Sequence, residues 1–254
     1  MEQNLPFVNV GFIDNAYNDR VLPLLGKIDN GHLFKWFLVL IWKIAALAFL
    51  LGGVYLTIAG IFGDSGYIKM NITNELLSGG QKAGASFGLV IGLVLSLVCA
   101  WYLYSNTKKR TDELNSQEYG DLLHFIFLTM IPRTITLAGE IAFTLIMYAG
   151  LMQIIAGLDG AAAYAPLLSY GDLFMQIPGV NMAAALVPSS VHGNYDNFVN
   201  DMSMGIMGVA AAFFVLIAYY IYREIYNYGM KLVCALIAFL PRLALSIAIR
   251  KTAE

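Results

Sequence analysis

Charge is what this sequence has least of. Asp, Glu, Lys and Arg make up 13% of its 254 residues, and no Lys or Arg occurs between Arg133 and Arg223. Soluble domains carry about 25% charged residues. A water-soluble fold of this size could not hide a chain that is 59% hydrophobic with a mean hydropathy of +0.67. Cysteine is also scarce: Cys99 and Cys234 both stand in apolar runs, where a thiol acts as a small hydrophobe, so no disulfide framework is implied. No second His or Cys stands at metal-ligand spacing, and neither a metal nor a cofactor is expected. There is no basic residue before Arg20, and the start is polar and Asn-rich, so no signal peptide is expected. The net charge of −2 is segregated by side and gives no support for nucleic-acid binding.

What the chain does have is long apolar runs. A spanning helix needs about 20 mostly apolar residues, and four segments qualify: 36–62, 87–104, 125–157 and 205–222. The first and third exceed one hydrocarbon thickness and are expected to tilt or to project. Apart from Lys69 and Lys82 on the opposite face, and Lys43 and Arg133 within the segments, the Lys and Arg flank one side, which places both termini in the cytosol, with a bacterial cytoplasmic membrane as the expected location. Trp36, Trp42, Trp101, Tyr102, Tyr104, Tyr219, Tyr220, Tyr222, Tyr226 and Tyr228 fall at the same boundary and read as an aromatic belt. The tail 232–249 reads as an amphipathic helix on the cytosolic leaflet, with Pro241 as a kink. The expected fold is therefore an all-α integral membrane protein of four transmembrane helices plus this C-terminal surface helix. Its segments are 1–35, a first hairpin 36–110, a second hairpin 111–228 and a tail 229–254.

The hairpins read as a pseudo-repeat. Ile58-Ala59-Gly60 aligns with Ile155-Ala156-Gly157 at an offset of 97, and Tyr102-Leu103-Tyr104 resembles Tyr220-Ile221-Tyr222. The halves differ in their outer loops, 63–83 and the long 158–204. The second loop carries Asp159, Asp172, Asp196 and Asp201, and Tyr164, Leu167, Leu168, Phe174, Met175 and Ile177 make it apolar enough for an outer cap. Its two apolar stretches read as short helices on the membrane surface or against a neighbour.

Two constellations stand out. Gly84, Gly88, Gly92, Ser96 and Ala100 recur every four residues, with a shorter version at Gly208 and Ala212, and such ridges let a second helix backbone come close. Whether that helix is internal or from another subunit is open at this level. Lys43, Arg133 and Glu140 are ionisable groups within spans, and the repeat offset maps Lys43 onto Glu140. They read as a self-neutralising cluster that clamps the helix pair, or else as a proton or ion relay or a polar binding site.

Ser189, Ser190, His192 and Asp196 lack the strained turn and oxyanion signature of a nucleophile triad. The run from Leu76 to Gly88 lacks the ending of a phosphate loop and reads as a turn into a helix. With so small a catalytic inventory, the expected function is a non-catalytic subunit that scaffolds or completes a larger membrane complex. Its expected partners are the lipid bilayer and other membrane subunits or further copies of itself. The rival is a small-solute or ion transporter or channel with a polar path through Lys43 and Glu140.

Overall fold

A computed structural model describes residues 19–20, 23–24, 32–63, 66–117, 122, 124–161, 165–170, 193 and 197–252, with side chains for all of these except 124, 238 and 240–252. No strand occurs among the described residues. Four long helices follow one another: α1, His32–Phe62; α2, Gly79–Asn115; α3, Ile131–Asp159; and α4, Phe198–Thr252. Each contains a window long and apolar enough to cross a membrane.

The helix ends follow from local sequence. Ser78 caps α2 in a capping box, with Gln81 Oε1 accepting from the Ser78 backbone N–H at 2.9 Å. A π-helical turn, His124–Met130, feeds α3, and Pro132 stands in the first turn of α3, where its missing N–H costs nothing. Gly160 ends α3 at φ 66°, a left-handed cap suited to glycine.

The second and fourth helices, at 37 and 55 residues, outrun the 31 and 29 of α1 and α3, the reverse of the lengths read from the apolar runs. Hydropathy stops at polar residues, whereas a helix continues wherever its backbone and local pairs allow. In α2 the polar end stays helical, with Thr107 and Thr111 hydroxyls donating to carbonyls one turn back and Arg110 pairing with Glu113. Likewise α4 runs without a break through Pro241, so the tail belongs to the same helix as the fourth span instead of forming a separate element.

The extensive helix contacts are α1 on α2, α2 on α3, and α3 on α4. α3 is the centre: 67% of its apolar window is buried, against 28%, 33% and 22% for the windows of α1, α2 and α4. The small-residue ridge of α2 faces this chain's own helices. Gly88 lies against the Asp159 carboxylate, Ser96 and Tyr148 hydroxyls meet at 2.9 Å, and Ala100 abuts Gly53 of α1. A Cβ on Gly150 would stand 2.8–3.0 Å from the backbone at Gly205, Gly208 and Val209, so α3 and α4 touch backbone to backbone there. Ala212, fully buried, continues that contact.

The outer loop departs most from expectation. Leu167 and Leu168, read as an outward docking surface, belong to a short 3₁₀ turn, Pro166–Leu168, that enters the bundle. Leu167 is fully buried, and Tyr170 donates from its hydroxyl to the Ala48 carbonyl at 3.1 Å, in the middle of α1. Its ring meets Phe49 edge-on at 5.4 Å. Gly52 and Gly53 make room, since a side chain on either would strike Tyr170 or Ala100. The segment 166–170 is therefore a re-entrant wedge, packed against α1, α2 and α3. Irregular backbone at such depth is tolerated because protein surrounds it. Tyr164, Phe174, Met175 and Ile177 lie outside the described residues, as do Ser189, Ser190, His192 and Asp196.

Candidate functional site

Polar side chains collect at both ends of the bundle. At the end where α3 finishes, two carboxylates are buried. Asp159 Oδ1 accepts from the Ala161 N–H at 2.8 Å and Oδ2 from the Tyr67 hydroxyl at 3.1 Å, in the crevice left by Gly84 and Gly88. Asp201, at the start of α4, accepts from Gln153 Nε2 at 2.8 Å and packs on Gly157. These acids serve interhelix contacts, which explains why glycines face them.

The opposite end, where α2 finishes and α3 begins, is basic and holds the larger assembly. Helical spacing builds it: Arg110 and Glu113 share a face of α2; Arg133, Thr136 and Glu140 share a face of α3; Tyr220, Arg223 and Asn227 share a face of α4. Arg110 grips Glu140 with two nitrogens, Nε at 3.0 Å and Nη2, while its Nη1 donates to Glu113 at 2.8 Å. The Tyr220 hydroxyl donates to Glu140 at 3.3 Å. One carboxylate thus ties three helices together. A bidentate guanidinium–carboxylate pair is both stronger and more directional than a single contact. Arg133 reaches this group through Glu113, at 3.6 Å.

The cluster read from sequence is therefore rearranged. Glu140 and Arg133 belong to it, but Lys43 does not pair with Glu140: it is exposed on α1, beside a recess lined by His32, Lys35, Trp36 and Asn115. The place expected for Lys43 is taken by Arg110. The physical reason is the row-like packing, in which α2 separates the Lys43 face of α1 from α3. Arg110 was legible only as a topogenic charge and Tyr220 only as belt. Their i, i+3 and i+7 neighbours were the signal that both also face inward.

Beside the clamp opens a recess of about 310 Å³, lined by Arg133, Thr136, Thr129 and Gln117 on one side and Arg223, Glu224 and Asn227 on the other. No group of His, Cys, Asp and Glu among the described residues is arranged to hold a metal ion. No family model, curated protein or solved structure matches the chain.

Proposed function

We propose that the protein is a non-catalytic, multi-pass membrane subunit that scaffolds or completes a larger complex. The observation that carries this reading is the far part of α4. Tyr228, Leu232, Leu236, Ile237 and Phe239 are each more than half exposed, on a helix whose other part is seated on α3. Beyond that seat, no element among the described residues covers these side chains. Such a helix, about 80 Å long at 1.5 Å per residue, exceeds what a bilayer of about 30 Å needs. It offers an apolar rod to neighbouring chains or, as the amphipathic reading of 232–249 has it, to the leaflet surface. The clamp on Glu140 supports the same role, because its charges are spent on holding helices together.

The hairpin repeat belongs to this proposal. Gly53 and Gly150, which the 97-residue offset superposes, are both points where a helix pair packs too closely for a side chain. The orientation with both termini cytosolic rests on the distribution of Lys and Arg. Cysteines placed at Asn115 and Asn197 in a background without Cys99 and Cys234 label from opposite faces of the membrane. Labelling from one face rejects the four-span topology.

The reading is tested by gentle detergent extraction and native mass measurement of the full chain and of a version ending at Tyr228. Other membrane chains co-purify in fixed ratio with the full chain and are lost from the shortened one. A solitary, well-folded monomer in both cases rejects the subunit role. The transport alternative is a small-solute or ion path through Lys43 and Glu140. Solute flux by the purified chain in vesicles, abolished in Lys43→Gln, decides for it.

A further inference from the structure

The three arginines around the basic-end recess are not equally occupied. Arg110 has all three of its guanidinium nitrogens engaged, on Glu140 and Glu113. Arg223 spends Nε and Nη2 on its neighbour Glu224 and lies 4.9 Å over the Tyr220 ring. Arg133 has only the 3.6 Å ion pair to Glu113, whose Oε2 already accepts from Arg110 at 2.8 Å. Among the described residues it donates no hydrogen bond, although its side chain is only 21% exposed. Its donors are left to the open recess that it lines. An oxyanion there could take them in the fork geometry that suits arginine to phosphate.

We propose that this recess binds a phosphate-bearing anion, and that its occupant in the membrane is the phosphodiester headgroup of an anionic phospholipid. Arg133 provides the fork from α3. Arg223, from α4, adds a second positive charge, set against the Glu113 and Glu224 carboxylates that also line the recess, and Gln117, Thr129, Thr136 and Asn227 are its neutral polar groups. The volume lies in the range of small-ligand clefts. Its depth favours a headgroup over a soluble ion: Tyr219, Tyr220, Tyr222 and Tyr226 mark the headgroup level on α4, on the same turns that supply Arg223 and Asn227. Basic recesses between membrane helices at this level suit anionic lipids. The site lies apart from the exposed end of α4 and goes beyond the subunit reading, so either can fail without the other.

The test uses the full chain in a neutral detergent, with phosphatidylglycerol, phosphatidylcholine or inorganic phosphate added in turn. Binding is read from lipid adducts in native mass spectra and from the shift in thermal unfolding. Phosphatidylglycerol should bind and stabilise where phosphatidylcholine does not. Its affinity should fall at least tenfold in Arg133→Gln, severalfold in Arg133→Lys and Arg223→Gln, and not at all in Lys43→Gln, whose charge lies outside the recess. Equal stabilisation by inorganic phosphate, with no added effect of phosphatidylglycerol, overturns the lipid assignment and leaves soluble phosphate as the ligand. Equal affinity for both lipids, or phosphatidylglycerol binding unchanged in Arg133→Gln, overturns the site. If Arg133→Gln does not fold, unchanged binding in Arg223→Gln has the same force.

Discussion

α3 and α4 are nearly equal in hydropathy, at 2.0 and 2.2 over their apolar windows, yet 67% of one window is buried and only 22% of the other. In water the more apolar helix is the buried one. Here apolarity does not sort inside from outside, because lipid tails are as apolar as leucine. What distinguishes α3 is its polar and small residues: Thr136, Thr144, Tyr148, Gln153 and Asp159 are buried, and Gly139, Gly150 and Gly157 admit α4 or its side chains. α4 turns Ile206, Met207, Phe213, Phe214 and Ile217 outward. The interior is thus recognised by what lipid cannot satisfy, and the exterior by what it can.

That contrast can be broken at its polar centre, where the largest effect is expected. Glu140→Gln or Arg110→Gln breaks a part-buried ion pair and should cost up to about 3–5 kcal/mol, whereas the double change should be milder. Lys43→Met, on the exposed face of α1, should cost less than about 0.5 kcal/mol. Urea or thermal unfolding in detergent measures all four. A loss in Lys43→Met that equals the loss in Glu140→Gln would restore the Lys43 pairing.

Next in size is the backbone contact between α3 and α4. Gly150→Leu drives a side chain into the α4 backbone and should cost about 3 kcal/mol or prevent folding. Gly229→Leu, at a position with nothing within 4 Å, should leave the melting temperature unchanged. Equal melting of the two variants would separate α3 from α4 at this crossing.

The wedge sharpens the comparison on the α1 side of α3. Leu167→Ala should cost about 2–5 kcal/mol, as for a leucine removed from a packed core, and Tyr170→Phe about 1 kcal/mol for the lost bond to Ala48. If 166–170 instead lay on the membrane surface, both would be silent in unfolding. The smallest effect on stability belongs to the α4 extension: Leu236→Ser with Ile237→Ser should move it by no more than about 0.5 kcal/mol. The same pair should reduce recovery of associated chains on native gels. Undiminished recovery would remove the extension from the interface.

The number of long apolar helices was legible from sequence because each is a covalently local property: consecutive residues set the length and apolarity of a run, and nothing distant alters either. The α2 ridge was legible as a packing face for the same reason, since residues four apart lie on one side of a helix wherever it goes. Its neighbours were not. That Gly88 would meet Asp159 and Ala100 would meet Gly53 depends on segments far along the chain.

Candidate site residues divided in the same way. Glu140 and Arg133 were found because a charge inside an apolar run is conspicuous by itself. Arg110 and Tyr220 escaped because each has a sufficient local explanation, as flanking charge and as interfacial aromatic. The wedge escaped because Pro166, Leu167 and Leu168 in a loop show no period. Its one trace was the Gly52-Gly53 pair on α1, which has no meaning until something is known to lie against it.

By itself, then, the sequence determined the helical class, the four apolar spans, the segregation of Lys and Arg and the faces on which helices pack closely. Only the tertiary structure decided that α3 is the centre, that Arg110 holds Glu140, that 166–170 turns inward and that α4 continues beyond its partner. The physical reason is that spans and faces arise from interactions within a few residues, whereas partners are chosen by close approach and polar satisfaction between segments tens of residues apart.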